Sequence, residues 1–349
     1  MRNRIVEEDL QTITGQPLPW TDLAGKTVVV SGANGFLPAY LVETLLYLNE
    51  TRHDSPTRVI ACVRDQTRAV GRFAAYAGRR DLQLMVQDVC APLALNEKVD
   101  VVIHAASQAS PRYFGRDPVG TLSANVLGTH QLLVLARDRG ASNFLFLSSS
   151  EVYGQVLHAQ IPIREDASGW VDPMDVRSCY AESKRMGETM CVAWAHQYGV
   201  PVRIVRPFHT YGPGMRLDDG RVFADFVADI VGNRDIIMKS DGRACRAFCY
   251  LGDAVAGFFA VLLKGVACQA YNIGNDKAEI SILDLAHLLV GLFPEKGLRV
   301  VQQEVTNASG YLPSRVARQC PDVSKARALG WQPTTSITVG FKRTIESYQ

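Results

Sequence analysis

At 349 residues, 47% hydrophobic and 21% charged, the chain holds enough apolar material for one large α/β unit or two lobes sharing a core. Its 37 Lys and Arg against 35 Asp and Glu leave a net charge of +2 with no basic run, which argues against nucleic-acid or membrane partners; any phosphate must be met locally. No stretch approaches the roughly eighteen uninterrupted apolar residues of a membrane span. The start turns acidic at Glu7-Glu8-Asp9, and the eight cysteines form no CxxC pair. A cytoplasmic protein with reduced thiols and no metal site is expected.

Residues 1–25 read as a preamble lying across the domain surface or a partner subunit. From Lys26 onward, short apolar strands alternate with amphipathic segments. Thr27–Val30 is a buried strand, followed by a glycine turn and a helix over 39–49. Strands follow at 58–63, 82–86, 99–104, 144–147 and 202–205, with helices near 119–138 and 178–198. Alternation of this kind predicts an α/β protein with a parallel, doubly wound sheet. After Pro207 the pattern breaks into loops before helices return near 253–264 and 281–293. The expected organisation is an N-terminal extension (1–25), a dinucleotide-binding domain (26–206 and 248–275) and a smaller substrate-binding lobe (207–247 and 276–349). The cleft between them is the natural ligand site.

Gly32-Ala-Asn34-Gly35-Phe36-Leu37-Pro38 lies between the first strand and first helix. Glycines there let the backbone turn tightly against a pyrophosphate, whose charge then faces the helix N-terminus. Pro38 replaces a third glycine and suits a first helical turn. The acidic residue that would grip a ribose 2′-hydroxyl is absent at Val63 and Arg64. Arg64 could meet a 2′-phosphate or stack on adenine, and Asp65 could reach the ribose one residue on. NAD is the expected cofactor, with NADP left open. Asp88, after the third strand, is a candidate for the adenine edge.

Tyr180-Ala-Glu-Ser-Lys184 has helical spacing, so the phenol and the ammonium share one face. A cation beside a phenol whose free pKa is about 10 favours phenolate and makes it a base. Ser148-Ser149-Ser150-Glu151-Val-Tyr-Gly154 ends a strand at the carboxyl edge, where doubly wound sheets bind ligands. There a hydroxyl can hold the reacting oxygen and Glu151 can serve as acid or base.

Taken in order, the glycine turn, His104-Ala105-Ala106, the SSSEVYG run and the YxxxK pair resemble the NAD-dependent epimerase/dehydratase family, the extended branch of the short-chain dehydrogenases. Within it the chain is most similar to the UDP-glucuronate decarboxylases (UDP-xylose synthases), through His104–Pro111, Ser149–Gly154, Cys179–Met190, Asp219–Val222 and Arg246–Phe248. The resemblance implies a Rossmann-type sheet with a smaller C-terminal substrate-binding lobe. It implies that Ser149 (Thr in most relatives) binds the reacting hydroxyl, with Tyr180 the base and Lys184 behind it. Gly32, Asn34, Gly35, Phe36, Leu37, Arg64, Asp88, Val89, Ala105, Ala106, Ser107, Asn125, Pro207 and His209 would bind the dinucleotide along with Tyr180 and Lys184. Asn125 would also organise the proton relay. Ser150, Glu151 and Arg246 would surround the C5/C6 end of the sugar. Ser107, Arg112, His209, Arg216, Arg221 and Val222 would complete the nucleotide-sugar site.

Two positions depart from the family pattern: His209 stands for the usual Asn, and Gly214 for the usual Arg. The implied chemistry is transient oxidation at C4 of a UDP-sugar, with decarboxylation of a UDP-hexuronate first, epimerisation second and 4,6-dehydration third. A dinucleotide-sensing scaffold is the reading from another class; it would have no need for Ser149, Tyr180 and Lys184 together. The helices near 119–138 and 178–198 are the expected homodimer surface.

Overall fold

A computed structural model describes residues 2–303 and 316–349. The chain opens with α1 (Arg4–Thr14), β1 (Thr27–Ser31), α2 (Phe36–Thr51), β2 (Arg58–Val63), α3 (Gln66–Arg72), β3 (Leu82–Val86) and β4 (Val101–His104). It continues through α4 (Pro111–Phe114), α5 (Pro118–Asp138), β5 (Asn143–Leu147), α6 (Ser178–Tyr198) and β6 (Val202–Pro207). Next come β7 (His209–Tyr211), α7 (Val222–Val231), β8 (Ile236–Met238), β9 (Cys245–Tyr250), α8 (Leu251–Lys264) and β10 (Ala270–Ile273). The rest is β11 (Glu279–Ser281), α9 (Ile282–Gly291), β12 (Val300–Gln302), β13 (Arg318–Gln319), α10 (Ser324–Arg327) and α11 (Ile337–Glu346).

The large sheet has the order β10-β6-β5-β4-β1-β2-β3, all parallel. Its central strands are buried on both faces, which explains their unbroken apolar runs. Order reverses between β1 and β4, and the crevice outside the strand carboxyl ends opens there. A second layer joins β11-β9-β13, with β7 on β9, and β12 pairs with β8. Phe223, Phe226, Phe248, Leu285 and Phe341 fill the core of that layer. These strands have only two to six residues, too short for a period-2 pattern to announce them.

Three expectations need correction. The preamble is part of the main body, because Ile5, Leu10 and Ile13 are buried and α1 packs on α2 and α8. The first-turn helix starts at Phe36 rather than Ala39, with Pro38 at its third position, where no intrahelical N–H bond is required. The strand expected from Val99 begins at Val101, because the Asp100 carboxylate accepts from Thr27 N and pairs with Lys98. Among the described residues one helix, α5, is long and apolar enough by composition to cross a membrane. In the fold it packs along α6 and against β4.

Candidate active site

A cleft of about 1360 Å³ runs along the carboxyl ends of the large sheet and under the second layer. Gly32, Asn34, Gly35, Phe36 and Leu37 line one end of it. Gly32 has φ +64°, and a Cβ there would sit 2.7 Å from Ala106 Cα, so only glycine lets the turn press against the end of β4. Gly35 begins α2 with no side chain capping the helix N–H groups. An uncapped helix N-terminus facing a cleft suits a diphosphate, so these residues fit the pyrophosphate of a dinucleotide.

The Ala105-Ala106 wall is held by a buried relay. Both N–H groups donate to Ser31 Oγ at 3.0 Å, and Ser31 lies 2.8 Å from His104 Nδ1. Having accepted twice, the Ser31 hydroxyl donates to Nδ1, so His104 carries its proton on Nε2, 3.0 Å from Thr129 Oγ1. Burial first, then the Lys184 charge, holds the His104 pKa down at about 3. An unfolded histidine titrates near 6.5. Between these values the unfolded chain binds the extra proton, so this contribution to stability is complete above about 6.5 and lost as pH falls toward 3. The unfolding free energy from urea titrations is expected to fall from pH 7 to pH 5 more steeply for the wild type than for His104→Gln, by roughly 1 kcal/mol per pH unit. Parallel slopes in the two proteins would exclude the relay as the cause.

Ser148, Ser149, Ser150, Glu151, Tyr180 and Lys184 meet at the centre of the cleft. Ser149 begins a short helical turn and accepts from Glu151 N at 3.2 Å. Lys184 Nζ donates to Leu147 O at 2.8 Å and sits 5.8 Å from the Tyr180 ring centre. Tyr180 stacks on Phe114 with ring centres 5.0 Å apart. The serine loop and α6 are clamped together by Glu188, which accepts from Ser148 Oγ at 2.5 Å and pairs with Arg206 at 2.6 Å.

The electrostatics differ from the expectation of a phenol acidified by its lysine. Burial pushes Tyr180 up to about 12, with the Ser149 hydroxyl the largest opposing influence. Burial also lowers Lys184 to about 7. The same desolvation penalises phenolate and ammonium alike, which i,i+4 spacing alone cannot reveal.

The remaining candidates fall into distinct places. Arg64, Asp88, Val89, Ser107, Pro207, His209, Arg221, Val222 and Arg246 all line the cleft. The Asp88 carboxylate accepts from Cys90 N at 2.9 Å, and Asp65 caps α3 through Arg68 N. Arg112 and Arg216, also on the wall, converge on Asp218, whose pKa is lowered to about 2, with the Arg216 hydrogen bond the leading cause. Arg221 is paired with Asp219. Arg246 donates to the carbonyls of Cys245, Val316 and Ala317. The His209 side chain is half-buried, its buried Nδ1 has no hydrogen-bond partner among the described residues, and removal from water followed by Arg246 and Arg221 holds its pKa well below the usual imidazole value. Asn125 is the exception, since it does not line the cleft and instead donates to Ser183 Oγ at 2.9 Å beneath it. The α5 turn carries Ser123 and Ala124 into the cleft and turns the next residue toward α6.

Arg177 escaped the sequence reading. It lines the cleft, its Nη1 lies 3.4 Å from Glu151 Oε2, and its buried Nε has no hydrogen-bond partner among the described residues. Its place three residues before Tyr180, on the turn that opens α6, was the only signal available.

A sequence model described as the NAD dependent epimerase/dehydratase family matches residues 28–274. The chain is 34% identical to UDP-glucuronic acid decarboxylase 6 of Arabidopsis thaliana over 325 residues, 92% of this chain and 88% of that one. It is 33% identical to UDP-glucuronic acid decarboxylase 1 of Xenopus tropicalis, over 93% of this chain and 72% of that one. Among solved structures, the UDP-glucuronic acid 4-epimerase of Bacillus cereus, in complex with UDP-glucuronic acid and NAD, superposes with a TM-score of 0.76 at 24% identity. That match covers 92% of this chain and 98% of that one. With the glycine turn, the serine loop and the Tyr-Lys helix on one cleft, and a family match spanning most of the sheet, the chain belongs to the NAD dependent epimerase/dehydratase family.

Proposed function

We propose that this protein oxidises C4 of a UDP-linked hexuronate, UDP-glucuronate foremost, and releases its C6 carboxylate as CO₂. The observation that carries the reading is one-third identity to UDP-glucuronic acid decarboxylases over 92% of the chain. It joins a cleft in which Ser149, Tyr180 and Lys184 adjoin Glu151, Arg177, Arg221 and Arg246. Three guanidinium groups against Glu151 and Asp219, the latter paired with Arg221, leave this end of the cleft with a positive excess suited to an acidic sugar.

When bound, NAD supplies a hydride acceptor and returns the hydride within one turnover. The chain handles protons and charge. Ser149 holds the C4 oxygen while Tyr180 accepts its proton, and Lys184 offsets the phenolate charge. With C4 a ketone, the C6 carboxylate is that of a β-keto acid. The C5–C6 electron pair moves toward the C4 oxygen, CO₂ leaves, and C5 takes up a proton. Hydrogen bonds from Tyr180 and Ser149 stabilise the negative charge on that oxygen. Arg177 holds Glu151 beside C5.

The exposed Val119, Leu122 and Leu127 on α5, with Met186 and Val192 on α6, support a homodimer paired through these helices. They also give the apolar composition of α5 a use other than a membrane. Incubation of the purified protein with UDP-glucuronate is expected to give a nucleotide sugar lighter by one CO₂ in the mass spectrum. An unchanged mass with altered chromatography would make it an epimerase, and loss of water a dehydratase.

A further inference from the structure

Lys184 is 2% exposed, and among the described residues no carboxylate bonds it. One N–H goes to Leu147 O at 2.8 Å, and Nζ lies 5.1 Å from the centre of the Phe146 ring. A cation so far removed from water loses its proton more easily, and burial brings Lys184 down to about 7. The groups that face it decide how far. His104 on β4 is held neutral, Tyr180 on the same helix keeps its phenol proton, and burial holds the Cys191 thiol well above its ordinary value. Among the described residues the anion that favours the ammonium is Glu188, one helical turn past Lys184 on α6, its side chain 13% exposed.

Glu188 is fixed from three sides. Arg206 Nε and Nη2 hold its two oxygens at 2.9 and 2.6 Å, and Ser148 Oγ donates to it at 2.5 Å. Arg206 is itself braced by the Tyr153 hydroxyl and the Glu165 carbonyl. The consequence lies in how Tyr180 and Lys184 share protons. Phenolate with ammonium, the form able to take a proton from a sugar hydroxyl, carries as many protons as phenol with amine. Bulk pH cannot choose between the two; only the charges around the pair can. A carboxylate on the lysine side favours the first.

We propose that Glu188 is a positioning residue that acts through Lys184, its fixed carboxylate biasing the pair toward phenolate and ammonium. The inference rests on the Tyr180 and Lys184 chemistry proposed above and adds the group that sets its balance.

Two measurements on the full chain test it. In protein carrying isotope-labelled lysine, the Cε resonance of Lys184, assigned by its disappearance in Lys184→Met, is followed against pH. Glu188→Gln is expected to move that titration down by about one pH unit, a tenfold loss of ammonium relative to amine. Ser148→Ala loosens the same contact without removing the charge and should leave the titration within about 0.3 of its place. Turnover of UDP-glucuronate supplies the second measurement. At low pH both proteins hold phenol and ammonium, so the rate deficit of Glu188→Gln should nearly vanish at about pH 5.5 and grow to about tenfold at about pH 8. Damage to the fold or to the serine loop would lower the rate alike at every pH. Should Glu188→Gln fail to fold around a lone buried guanidinium, Glu188→Gln with Arg206→Met removes both charges, and the same downward movement is expected. An unmoved Lys184 titration, or a rate deficit independent of pH, overturns the proposal. A titration that moves as expected in a protein inert toward UDP-glucuronate overturns the substrate reading and leaves the bias from Glu188 standing.

Discussion

Tyr180→Phe is expected to lower kcat by roughly a thousandfold, the scale of losing a general base, while the protein still folds and binds dinucleotide. The ring is buried and stacked on Phe114, and phenylalanine keeps both properties. Only the hydroxyl goes, and with it the group that stands beside Ser149. The thermal midpoint and NADH binding of the variant should match the wild type. Near-normal turnover would remove Tyr180 from the reaction. A protein that neither melts cooperatively nor binds dinucleotide would show that the hydroxyl serves the fold instead.

Arg343→Met is expected to destabilise the chain by about 3 kcal/mol at pH 7, read as a lower urea midpoint at unchanged m-value. Arg343 on α11 bonds Asp9 at 2.7 Å and Glu8 at 2.8 Å on α1. Asp9 is 4% exposed and also accepts from Tyr250 at 2.8 Å and Tyr40 at 3.1 Å. The cluster thereby joins the first helix, the last helix, α2 and the end of β9. Without the arginine, a desolvated carboxylate remains with only neutral donors. Burial already raises the Asp9 pKa, and losing Arg343 raises it further. A carboxyl whose folded pKa lies above its unfolded value stabilises the fold as it takes up a proton. The deficit should therefore shrink between pH 7 and pH 5, and Asp9→Asn should restore part of the loss in the double variant. A change below about 0.5 kcal/mol would mean that the exposed side of the pair dominates.

This cluster shows why residues 1–25 were misread as a surface preamble. Ile5, Leu10 and Ile13 mark a buried face, but that face is covered by α8, some 240 residues later, and Asp9 is bonded to Tyr250. Nothing within the segment names such partners. Arg177 was missed for the same reason, since its partner Glu151 lies on a different loop and the two meet only across the cleft. The place of Asn125 was equally hidden: on α5 it lies under the cleft wall and donates to Ser183 Oγ, a partner 58 residues away in the chain.

By itself the sequence determined the parallel sheet, the limits of six of its seven strands to within two residues (β10 was not read as a strand), the glycine turn, and the placing of Tyr180 and Lys184 on one helical face. All of these follow from interactions between residues near in the chain, namely apolar period, the φ freedom of Gly32 and the i,i+4 geometry of α6. Only the tertiary structure decided the short strands over the cleft, the pairing of Arg112, Arg177 and Arg343, and the protonation of His104, Tyr180 and Lys184. Those depend on how far each group is removed from water and which charges surround it, and both are properties of segments brought together from distant parts of the chain.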